Sequence, residues 1–474
     1  MTLRIGRMPG LLLGAATLVM LTATCTMGPD YERPDVITPG EFRGPMPTGE
    51  SVANVPWWEL YQDPVLQDLI QTALENNRSV REAFARINEF RANLGIARAD
   101  RFPSVTGIGV AFSQGTTNSD STRVFDTAKA AVSVGYELDL WGRVARSNEA
   151  ALQGLLATEE AYRTITMSLV SSTAETYLIM RDVDARLDIA EAAAETRRES
   201  LVLLVARADG GLVPTVEVNR AEVDLAEAET VVQKLTRARA QAENGLSLLL
   251  GQLPSSVTRG SSLSEQVFPP SVPAGLPSEL LQRRPDVLAA ERLLHAQTAK
   301  IGVAQAARFP SLSLTGSGGV KSSSLGEVTS STSFLNIGAN LLGPIFDAGK
   351  RKSRVEAERA RTEQVLNQYE QAILNAFREV EDALVEVETY RVEHEIRVRQ
   401  RDSAQEGLDV AQALYDGGLS SYMEVLDLQR AVFNTELMVS ETLQLHHSAV
   451  VQLYRALGGG WTVEEEAEEE NPGQ

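Results

Sequence analysis

The chain has 474 residues, a formal net charge of −20 and only 5% aromatic residues, and Ala, Leu, Val, Glu, Gln and Arg dominate long stretches. No excess of Lys and Arg exists to displace phosphate counterions, so nucleic acid is excluded as a partner. The composition suits extended helices better than compact cores, and the single cysteine, Cys25, rules out an intrachain disulfide.

Residues 1–24 read as a signal peptide. Arg4 and Arg7 form a basic start, and the apolar run Leu11 to Ala23 is too short to span a bilayer permanently. Its removal takes away both arginines and leaves −22. Cys25 follows at once, which points to a lipoprotein acylation site there and a lipid anchor. The junction departs from the usual lipoprotein pattern, because Leu21 stands four residues before the cysteine and Thr24 abuts it.

Beyond this leader the chain repeats itself. Arg101-Phe102-Pro103-Ser104 returns as Arg308-Phe309-Pro310-Ser311, an offset of 207 residues. The same offset carries Gly142 to Gly349, Gly210-Gly211-Leu212 to Gly417-Gly418-Leu419, and Leu250-Gly251 to Leu457-Gly458. Four landmarks in one register indicate a duplicated structural unit.

Each unit opens with a helical stretch, about 78–101 and 285–308, and continues into a pair of alternating segments. Val132, Val134, Tyr136, Leu138 and Leu140 share one parity, against Ser133, Gly135, Glu137 and Asp139 on the other. Leu335, Ile337, Ala339 and Leu341 repeat the pattern, and segments near 103–113 and 310–320 supply the other halves of two hairpins. Four strands of about ten residues are therefore expected, long enough to cross a bilayer when tilted. The character then changes abruptly. Residues 143–208 hold no proline and only Gly154, and 350–416 hold no proline and only Gly407. Each predicts a helix of roughly 100 Å that turns at Gly-Gly and returns as a second helix, Pro214 to Leu250 and Ser420 to Leu457. Apolar residues spaced at three and four, such as Leu408, Ala411 and Tyr415, predict coiled packing.

A four-stranded sheet cannot cross a membrane alone, since its edges would leave backbone groups unpaired in hydrocarbon. Several copies must pool their strands, and these considerations permit a dimer or anything larger.

Four motifs now carry a resemblance: Gly28-Pro29-Asp30-Tyr31 with Arg33-Pro34; Trp57-Trp58 with Asp63-Pro64 and Leu66; Leu281 with Arg283-Arg284-Pro285-Asp286-Val287; and Tyr415, Gly418, Tyr422 and Val425-Leu426-Asp427 with Gln429-Arg430. In this order the chain resembles the TolC-like outer-membrane factors, in particular the lipoprotein branch that serves multidrug efflux. The resemblance implies a mixed fold, a membrane β-barrel plus long α-helical coiled coils, with four strands per chain in a shared trimeric barrel continued by a helical periplasmic tunnel. It implies a homotrimer, a periplasmic adaptor (membrane fusion) protein and an inner-membrane efflux transporter as partners, and a passive duct for drugs or other small molecules with no cofactor. The expected organisation is 1–24 signal peptide, 25–77 lipid-anchored segment with equatorial packing, 78–251 first repeat, 252–284 linker, 285–458 second repeat and 459–474 acidic tail. A duct for type I protein secretion and a non-conducting coiled-coil surface protein are the alternatives.

The family places acidic residues at the constricted far end. Glu424 and Asp427 follow Gly418 by six and nine residues, and Glu217 follows Gly211 by six, so these three are the expected gate carboxylates. Repeated by symmetry, they would form a negative ring that attracts cations. Ser421 to Glu424 also fits a helix capping box, and Glu217 sits where a carboxylate favours the helix dipole. Tyr415 matches a family tyrosine that ties neighbouring coils, with Glu217 as the expected partner. Arg220 stands where the second repeat has Asp427 and partly offsets the ring. Gly210, Gly211, Gly417 and Gly418 are the expected hinge of the tips.

No catalytic constellation emerges. The histidines are His295, His394, His446 and His447, and the adjacent last pair is expected on different helix faces rather than on one metal. Glu393-His394-Glu395 lacks the second histidine of a zinc-protease helix. Gly316 to Gly319 lies in a strand segment, without a phosphate-binding context, and suits bilayer-facing or turn duty.

Overall fold

The computed structural model describes residues 26–36, 39–40, 42–43, 61–118, 121–268, 277–323 and 331–459. Cys25 and the acidic tail from 460 lie outside them. The elements follow in order as α1 (Pro64–Asn76), α2 (Arg78–Ala99), β1 (Ser104–Asn118), β2 (Ser121–Leu138), α3 (Arg143–Asp209), α4 (Thr215–Leu249), α5 (Pro277–Arg283), α6 (Pro285–Ala306), β3 (Ser311–Ser322), β4 (Thr332–Leu342), α7 (Lys350–Asp416) and α8 (Tyr422–Ala456). The 207-residue offset recurs in the helix boundaries: α2 with α6, α3 with α7 and α4 with α8 start and end in the same register.

Two compact units result. One comprises Met1–Asp35, Arg86–Glu159 and Ala289–Glu370, and the other Val36–Ala85, Glu160–Leu288 and Gln371–Gln474.

The first unit contains a four-stranded antiparallel sheet in the order β1-β2-β3-β4. β2 and β3, which come from different repeats, pair directly: Leu138 faces Leu312 and Val134 faces Gly316. Directly opposed residues share a face. The register therefore puts Val132, Val134, Tyr136 and Leu138 together with Leu312, Leu314 and Val320, and then with Leu335, Ile337, Ala339 and Leu341. The other face carries Ser133, Glu137, Ser313, Ser317, Asn336 and Asn340. Both predicted parities thus merge into one apolar and one polar face. Gly316 and Gly318 lie on the apolar one.

Two expectations need correction. The first hairpin is longer than ten residues per strand, at 15 for β1 and 18 for β2. The added part of β2 includes Asp126 and Lys129, whose polarity conceals a ladder held by backbone bonds alone. Leu140 does not extend the alternation: its N–H donates to the Leu138 carbonyl at 2.9 Å, in a turn that ends the strand.

The described N-terminal segment of this unit starts at Thr26. The Met27 N–H donates to the Trp141 carbonyl at 3.0 Å. Gly142 has φ +72°, and a Cβ there would come within 2.8 Å of Thr26 Cγ2, so the N-terminal strap needs both the turn and the missing side chain. Arg146, only 5% exposed, holds the strap through Asp30 at 2.5 Å. Tyr31 stacks on His295 with ring centroids 4.4 Å apart.

The second unit buries Tyr61, Leu66, Ile70, Tyr177, Leu178, Met180, Leu246 and Tyr454 in one core. At its centre lies Asp63, fully buried. Its Oδ1 accepts from Val65 N at 2.9 Å and caps α1, where Pro64 opens the helix without wasting a donor. Oδ2 accepts from the Tyr177 hydroxyl at 2.7 Å, Gln266 Nε2 at 2.6 Å and Ser261 N at 3.2 Å. One carboxylate thus ties the linker to α1 and α3, and a single buried charge with this many donors is well satisfied.

Candidate functional site at the helical tips

Both long helices end alike. The Leu212 N–H donates to the Arg207 carbonyl at 2.8 Å and Gly211 N–H to Ala208 at 2.9 Å. Leu419 and Gly418 repeat this with Leu414 and Tyr415 at the same distances. These are Schellman turns, and their left-handed residues, Gly211 and Gly418, both have φ +70°. Gly210 and Gly417 precede them as the last half-helical residues.

Behind the turns the two hairpins share a small core. Leu204 of α3, Ala221 of α4, Ala411 of α7, and Tyr422, Val425 and Leu426 of α8 are buried together, with Leu408, Tyr415 and Leu428 packed against them. The predicted three-and-four spacing therefore builds the seam between the hairpins. Burying such a cluster stabilises the tips at about 25 cal/mol per Å² of apolar surface.

Of the expected gate residues, Glu424 and Asp427 are exposed and Glu217 is half-buried. The Ser421–Glu424 capping box is not formed, because the Ser421 side chain makes no capping bond. The neighbouring Ser420 hydroxyl instead donates to Glu424 Oε2 at 2.5 Å. Ser421 is the residue at the cap position, but its hydroxyl is not aimed at the first turn, which the sequence pattern does not reveal. Asp427 has Arg430 Nη1 at 3.9 Å. Arg220, its repeat equivalent, points Nη1 at Met423 Sδ, 2.9 Å away. Tyr415 is engaged by a different residue from the one expected: its hydroxyl accepts from Arg207 Nη1 at 2.8 Å rather than bonding Glu217, and its ring tilts against Tyr422 with centroids 5.2 Å apart.

A charged triad one turn deeper escaped the sequence reading. Asp224 of α4 is fully buried. Its Oδ1 accepts from Arg430 Nε of α8, and its Oδ2 faces Arg197 Nε of α3 at 3.9 Å. Arg197 is 5% exposed, donates from Nη1 to the Asp224 carbonyl at 2.9 Å and lies over the Phe433 ring at 4.8 Å. Burial pulls its guanidinium below the ordinary arginine range while the Asp224 charge pushes it back up. The triad joins both hairpins. One signal was available: Asp224 is a lone carboxylate on the buried stripe Ala221, Asp224, Ala228, Leu235 of α4.

The histidine pair shares an aromatic partner. His446 and His447 of α8 both reach the linker residue Phe268, with centroids 4.3 and 3.8 Å away. Among the described residues no group of three or more His, Cys, Asp or Glu side chains forms a metal site.

A sheet with one apolar face and, among the described residues, no outer partner for its edge strands, joined in sequence to long coiled hairpins, is the architecture of an outer-membrane channel subunit. Residues 69–252 and 276–459 both match the outer membrane efflux protein family, and the chain belongs to it. It is 35% identical over 447 residues to the cation efflux system protein CusC of Escherichia coli, covering 92% of this chain and 96% of that one. It is 34% identical over 462 residues to the toluene efflux pump outer membrane protein TtgI of Pseudomonas putida, covering 94% and 97%. Among solved structures, the open state of the Neisseria gonorrhoeae MtrE outer membrane channel superposes with a TM-score of 0.85 at 31% identity, covering 92% of this chain and 98% of that one. The mixed fold class expected from the sequence is borne out, as is the reading of an efflux channel. The family is one of channels, not of enzymes.

Proposed function

We propose that three copies close one twelve-stranded barrel and that their hairpins form the periplasmic duct of a tripartite efflux pump, working with a periplasmic adaptor and an inner-membrane transporter. The observation that carries this reading is a sheet with a continuous apolar face whose edge strands, β1 and β4, have no outer partner among the described residues. Hydrocarbon offers those amides no water, so other copies must meet them. β1 and β4 run in opposite directions, and a β4-to-β1 seam between copies continues the antiparallel pattern around a closed ring. The family resemblance supports three as the number. Native mass spectrometry in detergent is expected to find a three-subunit species that conducts in planar bilayers; a conducting monomer would refute the reading.

The gate lies at the tips in this reading. Glu424, Asp427 and Glu217 of each copy surround a narrow axis, Arg220 offsets part of their charge, Tyr415 ties the coils, and the glycine pairs 210–211 and 417–418 let the tips bend. A confined negative ring attracts cations and binds divalent ions across its members. Replacing Glu424 and Asp427 by Ala is expected to weaken cation preference and divalent block in single-channel recordings, while Glu464→Gln with Glu465→Gln leaves both intact. Unchanged currents in the first variant would assign the constriction to other residues.

The duct is passive in this reading and the delivering pump chooses the cargo. Relatives of nearly equal similarity carry names as different as cation efflux and toluene efflux, which fits a conduit with little selectivity of its own. Lipidation of Cys25 completes the proposal. Thr26 is held against Gly142 beside the end of β2, a place from which an acyl chain reaches the membrane. Intact-mass measurement of the mature protein is expected to show an acylated Cys25 as its first residue, and a bare cysteine there would rule the anchor out.

A further inference from the structure

The chain is strongly acidic, yet the rim at one end of its sheet is basic. Antiparallel pairing brings the start of β1, the end of β2, the start of β3 and the end of β4 to the same end, with Leu138 facing Leu312 and Ser311 facing Leu342. Close to these ends stand six exposed cations: Arg98 and Arg101 before β1, Arg308 before β3, and Lys350, Lys352 and Arg354 opening α7. Lys352 has a loose, exposed pair with Glu356 at 3.8 Å. The other five make no ion pair among the described residues. The remaining rim arginines are already occupied, Arg143 by Glu137 at 2.9 Å, Arg146 by Glu149 at 2.8 Å and Arg351 by Asp347 at 3.6 Å. The rim acids are similarly spent: Asp139 accepts from Val144 N and Ala145 N to cap α3, and Asp347 accepts from Gly349 N. Asp100 and Glu356 stand exposed among the six cations, and Asp30 is exposed on Arg146.

A second observation sets the depth of this rim. Aromatic side chains lie beside the cations. Trp141 stacks on Phe309 with centroids 4.7 Å apart and donates from Nε1 to the Pro310 carbonyl at 2.8 Å. Phe102 and Phe346 are 69% and 87% exposed. Such a girdle marks the boundary between hydrocarbon and headgroups in membrane barrels. Cations a few residues beyond it stand at headgroup depth, where their long stems reach phosphate oxygens and arginine binds them with two donors.

We propose that this rim is a binding surface for the anionic phospholipid headgroups of the periplasmic leaflet. The proposal rests on the orientation of the family, with the helices in the periplasm. The surface holds the barrel at a set depth by charge, in addition to its apolar face.

The test uses the full-length protein in detergent with equal amounts of phosphatidylglycerol and phosphatidylethanolamine, read by native mass spectrometry of retained lipid. Wild type is expected to favour phosphatidylglycerol by about tenfold, and the preference should fade as salt rises. Arg101→Gln, Arg308→Gln, Lys350→Gln, Lys352→Gln and Arg354→Gln together should bring the ratio near one. Lys234→Gln with Arg237→Gln and Arg399→Gln, equally exposed in the second unit, should leave it unchanged. If the fivefold variant does not assemble, Arg101→Gln with Arg308→Gln should still cut the preference severalfold. Equal retention of both lipids by wild type overturns the proposal. So does a rim variant that keeps its lipid preference but changes single-channel conductance, which would place the cations on the lumen.

Discussion

Asp224→Ala is expected to loosen the hairpin tips by about 3–5 kcal/mol, the usual cost of removing one partner from a buried ion pair. The carboxylate sits between Arg197 and Arg430, and its loss affects them unequally. Arg430, with 38% of its side chain exposed, can turn toward water. Arg197, 5% exposed beneath Phe433, cannot. Most of the cost is therefore the stranded Arg197 charge. Hydrogen exchange should accelerate at both tips, and the channel should show more frequent openings, because α4 and α8 lose the link that joins the two hairpins. Asp224→Asn, which keeps an acceptor and the shape, should cost less. Asp224→Ala combined with Arg197→Met should regain most of the loss, since no buried charge then lacks a partner. Exchange rates at the tips identical to wild type in Asp224→Ala would show that the triad bears no weight there.

Acid is expected to unfold the second unit through its buried histidines. His447 is fully buried, stacks on Phe268 and has no hydrogen-bond partner for either ring nitrogen among the described residues. Burial pushes His447 down to about 3 and His446 down to about 4, with His394 lowering both and Arg391 of α7 lowering His446, against a small opposing effect of Glu388. Their folded pKa values lie below the ordinary value of 6.5, so the unfolded chain takes up protons first. The histidines cost nothing above that pH and remove stability as it falls from 6.5 toward 4 and 3, each by about 1.4 kcal/mol per pH unit.

Glu175 acts the other way. Burial pushes it up to about 7, with Arg455 opposing, so the folded chain protonates it first and gains stability from pH 7 down to its unfolded value of 4.5. The net loss between pH 6.5 and 4.5 is therefore that of about one histidine. Between 4.5 and 4 the compensation has ended and the loss steepens, and below 4 only His447 still contributes. Thermal melting followed by circular dichroism should show this break. His447→Phe, which keeps a ring against Phe268, should flatten the profile, and Glu175→Gln should steepen it above pH 4.5. Parallel profiles for wild type and both variants would exclude these groups as the source.

Much of the fold was legible because its determinants are local. The proline-free runs gave α3 and α7 nearly to the residue, and Gly-Gly marked turns whose left-handed residues, Gly211 and Gly418, only glycine adopts cheaply. The polar start of β2 concealed a strand, since backbone pairing there needs no apolar side chain. Helix α1, which follows the Asp63-Pro64 motif, is capped by a residue whose other contacts lie more than a hundred positions away.

The sequence by itself determined periodicity: helix length, the places where helices break, and which residues of each strand share a parity. These depend on the rise and twist of the chain and on residues a few positions apart. Tertiary structure alone decided partnership. It paired β2 with β3 so that two separate parities became one apolar face, gave Tyr415 to Arg207, set Phe268 against both His446 and His447, and enclosed Asp224 between arginines from two other helices. Each of these contacts joins residues far apart in the chain. Which partner wins depends on the packing and desolvation of the whole interface, and no local pattern encodes that.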